Sequence, residues 1–304
     1  MDVDATADEG PRAVGRGHGL SAREASAALR VHHPGSRTEL GLFAANRDFL
    51  AELAANRHHV GVLFRRDFRA SYTGTFLGVF WNVAIPLAPV AVYVLLASAK
   101  VLPAFEGVPG PAAITFNATL WFLFAGAIVQ PIAVVRSRAS DAMKTSLPLS
   151  ASVAASFARL VFETLVRLGV VFAVLVALRV VPALTAPLAL LYVSACLLPF
   201  LAVGLMLAVV NVVVPDVERV VNIVLQYGMF LSGVIFPLHV SGALAVVEAF
   251  NPFAIAIRGA REMAFVGIPG DAAVVLAVPA IGLLLFLYAA RVFYVMEPRV
   301  KGVP

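Results

Sequence analysis

Charged residues are scarce in this sequence: they make up 13% of its 304 residues, whereas 61% are hydrophobic. A soluble domain carries about twice that share of charge, so the composition excludes a water-soluble globular protein. The hydrophobic residues instead form six runs, each long enough to cross a bilayer as a helix. These runs lie near residues 76–99, 112–135, 157–181, 184–214, 220–237 and 272–294.

Lysine and cysteine are rarer still. Only Lys144 of the three lysines precedes a threonine, and Met143 occupies the position that a Gly-Lys-Ser/Thr nucleotide loop gives to glycine. Any ATP-driven mechanism therefore needs an ATPase on another chain. The single cysteine, Cys196, can form no internal disulfide, and its place inside an apolar run predicts a small buried residue.

The usual groupings of catalytic and metal-binding residues are missing from the sequence. Its six histidines are single or adjacent pairs, and adjacent histidines on a helix point in different directions. No cluster of carboxylates or cysteines accompanies them, and no serine has a recognisable activating context. We therefore expect no catalytic site, no metal site and no cofactor in this chain.

The positive charges are distributed unevenly. Ten of the 23 lysines and arginines precede residue 70, and with six spans and both termini inside, seventeen lie on the cytoplasmic side. The positive-inside rule explains this asymmetry, so the net charge of +5 indicates topology and not nucleic-acid binding. Alanine, valine and arginine are preferred over isoleucine and lysine, as in GC-rich bacterial genomes. We expect a multi-pass protein of a bacterial cytoplasmic membrane with both termini cytoplasmic.

The segments outside the runs complete the predicted organisation. Residues 1–39 have no apolar core and are expected to form a disordered cytoplasmic tail, ahead of a transmembrane domain over 40–304. Within residues 40–62, apolar side chains recur at helical spacing: Leu42, Phe43, Phe49, Leu50, Leu53 and Val60. This pattern predicts an amphipathic helix on the membrane surface or, alternatively, a helix packed on a soluble partner.

Two connections are expected to contain helices of their own. The polar segment 136–150 has room for one short cytoplasmic helix. The segment 239–271 is too apolar for a free loop, and Asn251-Pro252 divides it into two short helices that re-enter the membrane from the outer surface. The predicted fold is thus an all-α integral membrane protein. It has six transmembrane helices, an N-terminal amphipathic interface helix, and two short re-entrant helices between spans five and six.

Three charges fall inside the third run. Arg159, Glu163 and Arg167 are spaced by four residues, so they form one stripe of a helix. A charge in the centre of a membrane costs about 2.5–3.5 kcal/mol on insertion scales, so these side chains should face one another or a wet cavity. They either line a transport path or form a structural ion pair near the cytoplasmic end.

Aromatic residues lie mostly toward the ends of the runs, among them Trp81, Trp121, Phe124, Tyr227 and Phe230. Such a distribution favours an aromatic belt at the lipid interface. In a sugar transporter, the same rings would also be able to stack on pyranose faces.

Four landmarks in order resemble one family. Arg66-Asp67 is followed by Tyr72, Leu77-Gly78, Trp81 and Pro86, and later come Asn211-Val-Val-Val-Pro-Asp216, Phe230-Leu-Ser-Gly-Val-Ile-Phe-Pro237 and Asn251-Pro252 with Arg258 or Arg261. Together with the six-span layout, they resemble the type-2 ABC exporter permeases that move polysaccharides: O-antigen, teichoic acid, capsule and galactan exporters. Pro215 stands where that family usually has arginine, and Ser71 where a basic residue often precedes the tyrosine.

The resemblance implies a homodimeric permease on separate nucleotide-binding subunits, which bind ATP and Mg. It implies membrane lipids and a glycan on a polyprenyl diphosphate lipid as the other partners. ATPase contacts would be Phe43, Arg47, Arg57, Asp141, Lys144 and Pro148. Candidates for the substrate entrance, where the diphosphate would bind, are Arg65, Arg66, Arg69 and Tyr72. The outer gate would comprise Asn251, Pro252, Arg258 and Arg261.

Other transport and enzyme classes would require different sequence features. A drug or lipid efflux permease of the same superfamily is the nearest alternative, although the Leu-Gly-x-x-Trp pattern argues against it. A secondary transporter would need broken helices with midplane charges in two matching halves, and no such pair is apparent. A membrane-embedded glycosyl- or acyltransferase would need acidic or histidine residues grouped at one membrane face, and the isolated carboxylates of this sequence form no such group.

The segment from Asp141 to Pro148 provides a direct test of the resemblance. Replacing Lys144 or Pro148 should uncouple ATP hydrolysis from transport without unfolding the protein, because this segment would carry movement from the ATPase to the spans. Export and ATP hydrolysis would be measured in parallel. Unchanged export in both variants would remove the segment from the ATPase contact.

Overall fold

Long helices account for nearly all of the residues that the structure describes. The computed structural model describes residues 37–72, 107–144, 148–235 and 249–301, together with the single positions 80, 84, 95, 105 and 246. Those residues form helices, turns and bends without any strand. The helices of this part of the chain are α1 (Leu42–Ala55), α2 (Arg57–Tyr72), α3 (Gly110–Lys144), α4 (Leu149–Ala177), α5 (Ala186–Val213), α6 (Asp216–Gly228), α7 (Pro252–Phe265) and α8 (Ala272–Lys301).

Four of these helices, α3, α4, α5 and α8, are long and apolar enough to cross a membrane. They coincide with the second, third, fourth and sixth predicted runs. The first predicted run, residues 76–99, lies outside the described residues except for positions 80, 84 and 95, which are helical. The fifth run corresponds to α6, whose 13 residues are followed by a 3-10 turn at Phe230–Ser232. A helix of that length is too short to span a bilayer by itself.

The predicted interface helix over 40–62 differs from the structure, which has two helices there. Helix α1 ends at Ala55, and α2 begins at Arg57. The side chain of Asn56 donates a hydrogen bond to the carbonyl oxygen of Glu52, 2.8 Å away, and asparagine favours such helix ends because it competes for backbone groups. Consequently Arg65, Arg66 and Arg69 belong to a helix of their own.

The connection after the second run also differs from the expectation. Residues 136–144 continue α3 without interruption, so this part of the connection holds no separate short helix. Its sequence contains neither glycine nor proline before Pro148, and nothing breaks the helix earlier. Helix α4 then begins at Leu149, eight residues before the predicted start of the run at 157.

Successive long helices run antiparallel, which gives the bundle two distinct ends. At one end, α3, α5 and α8 finish while α4 and α6 begin, and we call it the basic end because Arg136 and Arg138 lie there. Contacts across it join Arg136 to Glu218 and Leu149 to Glu297. At the opposite end, the backbone N–H of Ala183 donates to the carbonyl oxygen of Ala264 at 2.8 Å.

The core is centred on a close crossing of α3 and α5. Pro131 lies inside α3, and because proline has no N–H, the carbonyl oxygen of Ala127 loses its intrahelical donor. Gly204 of α5 faces that carbonyl: a Cβ atom at Gly204 would lie 2.6 Å from the oxygen of Ala127 and 2.8 Å from that of Ile128. The absence of a side chain therefore lets the two backbones approach at the point where α3 has lost a hydrogen bond.

An aromatic cluster fills the space beside this crossing. The ring of Phe200 in α5 stacks on Phe124 at 4.6 Å and contacts Phe253 of α7 at 4.4 Å, and Phe253 in turn meets Trp121 at 4.6 Å. The prediction of an interfacial belt is therefore wrong for Trp121 and Phe124, which are buried. These two residues lie well inside a helix that the other helices surround, and periodicity alone does not reveal this. Tyr227 and Phe230 are exposed, while Trp81 lies outside the described residues.

The crossing predicts opposite effects for two helical glycines. Gly204→Ala should lower the free energy of unfolding by about 1–3 kcal/mol, because the new methyl group must push two backbones apart. Gly169→Ala in α4 meets nothing within 4 Å and should be neutral or stabilising by about 0.5–1 kcal/mol. Thermal unfolding of both variants in detergent measures the difference. Equal melting temperatures would show that the helices do not approach as closely as the structure indicates.

Candidate functional site

Helix α2 is held against the bundle by one ion pair and one aromatic contact. Asp67 accepts a hydrogen bond from the guanidinium of Arg138 in α3, and both side chains are more than four-fifths buried. At the next residue, the rings of Phe68 and of Phe162 in α4 meet edge to face at 5.0 Å. The charge pair and the ring contact fix which side of α2 faces the protein.

The opposite side of α2 carries the predicted entrance arginines. Arg65, Arg66 and Arg69 are exposed, and their spacing of three and four residues places them on adjoining turns of one helix. Arg66 also approaches Asp67 at 3.5 Å. Tyr72 is the last residue of α2. The structure therefore presents three cations together at the surface, next to the anchoring pair.

The three charges of the third run form a continuous ladder on α4. The Nε atom of Arg159 donates to Glu163 at 2.9 Å, and Arg167 approaches the other carboxylate oxygen of Glu163 at 3.6 Å. Glu163 and Arg167 are 8% and 7% exposed. The guanidinium of Arg167 also lies over the ring of Phe122, 5.3 Å from its centre. An ion pair of this depth needs such partners, since burying a charge costs several kcal/mol.

A cavity of about 420 Å³ lies between α3, α4 and α6, beside this ladder. The buried pair Glu163 and Arg167 forms one wall, and three carboxamides line the rest together with aromatic rings and aliphatic side chains. The carboxamides are Gln130, Asn222 and Gln226, and the rings are Trp121 and Phe122. The cavity combines flat apolar faces with hydrogen-bond donors and acceptors, a combination typical of ligand sites.

A second cavity of about 290 Å³ lies nearer the basic end, between α2, α3 and α4. Its lining is mainly polar and includes the anchoring pair, two serines and the first rung of the ladder: Asp67, Gln130, Ser137, Arg138, Ser156 and Arg159. Gln130 lines both cavities. A seam of polar side chains between α3 and α4 therefore connects the anchored helix α2 with the larger cavity.

The turn between α5 and α6 is organised by Asn211, which is 2% exposed. Its side-chain oxygen accepts a hydrogen bond from the backbone N–H of Glu218 at 3.0 Å, in the first turn of α6. Glu218 pairs with Arg136 of α3 at 2.7 Å. Pro215 occupies the N-cap position of α6. Asp216 pairs at the surface with Arg219 at 3.0 Å.

The residues predicted to contact the ATPase lie at the basic end but in different settings. Phe43 and Arg47 are exposed on α1, Arg57 is exposed at the start of α2, and Pro148 is buried at the start of α4. Asp141 and Lys144 belong to the last turns of α3. The structure thus separates an exposed group on α1 and α2 from the segment at the α3–α4 connection.

At the opposite end, Asn251 joins two helices. Its side-chain oxygen accepts from the N–H of Phe253 at 3.0 Å, which caps α7, and Pro252 occupies the first position of that helix. Its amide nitrogen donates to the carbonyl oxygen of Leu231 and the hydroxyl of Ser232, at 3.0 and 2.9 Å. Of the re-entrant pair, only this second helix is fully within the described residues.

The two predicted gate arginines lie on α7. Arg258 approaches Asp271 at 3.9 Å. Arg261 lies 3.5 Å from the side-chain oxygen of Asn117 and over the ring of Phe105. Asn117 also donates to the carbonyl oxygens of Gly233 and Val234, so it links α3 to the segment after α6.

Asn117 and Glu297 were not among the functional residues predicted from the sequence, although both are among the most buried polar residues. Glu297 is 1% exposed, and its carboxylate accepts a hydrogen bond from the N–H of Leu149 at the start of α4. The only signal for Glu297 in the sequence was that no other acidic residue follows Asp271. Asn117 gave a similar signal as a lone amide inside an apolar run.

Comparison with known proteins identifies one family. A model of the family described as "ABC-2 type transporter" matches residues 58–265, which is more than half of the chain. No curated protein matches the sequence.

The anchoring pair of α2 is testable by a double-mutant cycle. Asp67→Asn and Arg138→Gln should each destabilise the protein by about 1–3 kcal/mol, because each leaves the partner charge largely buried. The double variant should lose less than the sum. Chemical unfolding in detergent provides the free energies.

The exposed pair Asp216 and Arg219, whose side chains are 73% and 78% exposed, is the matched control. Its coupling free energy should not exceed about 0.5 kcal/mol. If the two cycles gave the same coupling, the contact between α2 and α3 would contribute nothing beyond a surface ion pair.

Proposed function

The chain belongs to the ABC-2 type transporter family, and on this premise we propose that it exports a lipid-linked cell-envelope polysaccharide. A permease of this family implies, in general, an ATP-binding partner subunit. With its long apolar helices, the chain is a multi-pass membrane protein. The substrate would be a glycan on a polyprenyl diphosphate carrier, moved outward across the cytoplasmic membrane of a bacterium.

The larger cavity carries the proposal for a glycan. Glu163 and Arg167 are more than nine-tenths buried in its wall, and three carboxamides lie opposite or beside them. A purely apolar drug would cover the three carboxamides without offering them hydrogen-bond partners, at a cost of about 1–3 kcal/mol for each group. Sugar hydroxyls both donate and accept, so they match a carboxylate, a guanidinium and amides together, while Trp121 and Phe122 offer faces for pyranose rings.

The arginines of α2 support a diphosphate at the entrance. Arg65, Arg66 and Arg69 are exposed on adjoining turns of one helix, and guanidinium groups bind phosphate oxygens through paired hydrogen bonds. The ion pair between Asp67 and Arg138 holds this helix beside the polar seam that leads to the larger cavity. A carrier diphosphate at α2 would leave the glycan directed toward that seam.

The orientation follows from the distribution of charge. Arg65, Arg66, Arg69, Arg136 and Arg138 all belong to the basic end, so this end would be cytoplasmic, with the C-terminal end of α8 on the same side. The exposed side chains Phe43, Arg47 and Arg57 would then face the ATP-binding subunit, together with the segment from Asp141 to Pro148. Asn251, Pro252, Arg258 and Arg261 would form the outer gate.

A homodimer completes the proposed assembly. Helix α6 exposes a row of apolar side chains to the surroundings: Val220, Ile223, Val224 and Tyr227. A second copy of the chain, as the resemblance implies, would cover part of this row, and membrane lipid would cover the remainder. The larger cavity would then lie close to the interface, because α6 also forms one of its walls.

The test is ATP-dependent movement of lipid-linked glycan in vesicles that contain the chain and its ATP-binding subunit. Asn222→Leu and Gln226→Leu should each lower glycan turnover about tenfold, because roughly 1.4 kcal/mol of hydrogen bonding is lost in the cavity. Turnover of a hydrophobic drug should not fall. Ser194→Leu is the matched control, since it makes the same polar-to-leucine change at an exposed residue of α5 that lines neither cavity.

The nearest competing function is efflux of a drug or lipid. Drug turnover without any glycan turnover, unaffected by the two carboxamide variants, would replace the glycan proposal with efflux. Movement driven by an ion gradient in the absence of the ATP-binding subunit would exclude the ATP-driven mechanism altogether.

A further inference from the structure

Helix α4 begins without a cap from its own sequence. Its N-cap residue is Pro148, whose side chain has no acceptor and therefore accepts no capping hydrogen bond. The first backbone N–H groups of a helix have no intrahelical partner. Leu149 is 1% exposed, so water does not satisfy its N–H either. A partner from another part of the protein is therefore required.

Glu297 of α8 is that partner. Its Oε1 atom accepts the hydrogen bond of the Leu149 N–H, although the two residues are 148 positions apart. A carboxylate at a helix N-terminus is favoured both by the helix dipole and by the charge-assisted hydrogen bond. A fully buried carboxylate is otherwise costly, so Glu297 stays in place because this contact and its remaining interactions compensate its burial.

The same part of α8 also holds α1. The carbonyl oxygen of Leu287 accepts a hydrogen bond from Asn46 at 2.9 Å, and Arg291 donates to the carbonyl oxygen of Leu40 at 3.0 Å. Three residues after Arg291, Tyr294 meets the ring of Phe49 edge to face at 6.4 Å. From residue 287 to residue 297, a helix rises about 15 Å. One short stretch of α8 therefore connects α1 to the first turn of α4.

We propose that Glu297 is a positioning residue that makes α1 and the start of α4 move together when the ATP-binding subunits close. This inference rests on the proposed function, in which α1 and the segment from Asp141 to Pro148 both contact those subunits. Two separate contacts move the spans as one unit only if they are rigidly connected. Helix α8 supplies the connection, and Glu297 is its link to α4.

The experiment uses the full complex of the chain with its ATP-binding subunit, in lipid nanodiscs. Hydrogen–deuterium exchange is followed in two peptides, residues 42–49 of α1 and 149–153 of α4, before and after trapping with ATP and vanadate. In the native complex, exchange should slow in both peptides. In Glu297→Ala, exchange should slow only in the α1 peptide, and transported substrate per ATP hydrolysed should fall about tenfold.

The remaining variants separate positioning from mere stability. Glu297→Gln keeps an oxygen that accepts the same hydrogen bond, so it should stay within about threefold of the native ratio of transport to hydrolysis. Arg299→Gln, whose side chain is exposed on another face of α8 and contacts Met296, should match the native protein. Glu297→Asp withdraws the carboxylate by one methylene and should lose coupling in the same direction as the alanine variant, which keeps the test informative if that variant fails to fold.

The inference would be overturned if both peptides still responded together in Glu297→Ala or in Glu297→Asp. It would also be overturned if the ratio of transport to hydrolysis stayed native while the Leu149 amide exchanged faster, since the cap would then serve stability only. The exchange measurement does not depend on the substrate. A failure of the glycan proposal would appear as drug turnover in the native complex. It therefore remains distinguishable from a failure of the proposed role of Glu297.

Discussion

The close approach of α3 and α5 at Gly204 is the packing contact on which the rest of the core depends. Pro131 removes a hydrogen bond from α3, and Gly204 allows α5 to approach the freed carbonyl of Ala127. A larger residue at Gly204 would keep α5 away from that oxygen. The aromatic contacts around Phe200 depend on this close approach. The position of α7 depends on it too, because α7 contacts the core through Phe253.

The sequence predicted the long helices well because composition and length alone define an apolar span. It predicted the breaks poorly. The interface helix divides at Asn56 because of one side-chain hydrogen bond, and α3 extends to Lys144 because nothing in its sequence stops it. The burial of Trp121 was also missed, since a tryptophan at the end of a run is compatible with both lipid and core. Each of these outcomes depends on neighbours that a linear pattern does not contain.

The candidate site shows the same limit in a different form. The spacing of Arg159, Glu163 and Arg167 predicted one stripe, and the structure places the three side chains in contact. Spacing did not indicate that Gln130, Asn222 and Gln226 come from two other helices to line a cavity with them. Glu297 and Leu149 are 148 positions apart, so no local pattern was able to join them. The available signal was a lone polar residue within an apolar run. This signal identifies the position of a buried polar contact but does not indicate which residue of another helix completes it.

The two ends of the bundle are held by different kinds of contact. Ion pairs such as Arg136 with Glu218, 2.7 Å apart, tie the helices together at the basic end. At the opposite end, Asn117 and Asn251 join the helices through neutral amides, and the ion pair of Arg258 with Asp271 is longer, at 3.9 Å. Dissolved ions screen attraction between partly exposed charges and leave amide hydrogen bonds nearly unaffected. Raising the ionic strength should therefore loosen the basic end before the opposite end, so that salt concentration becomes a means of relaxing the two ends separately.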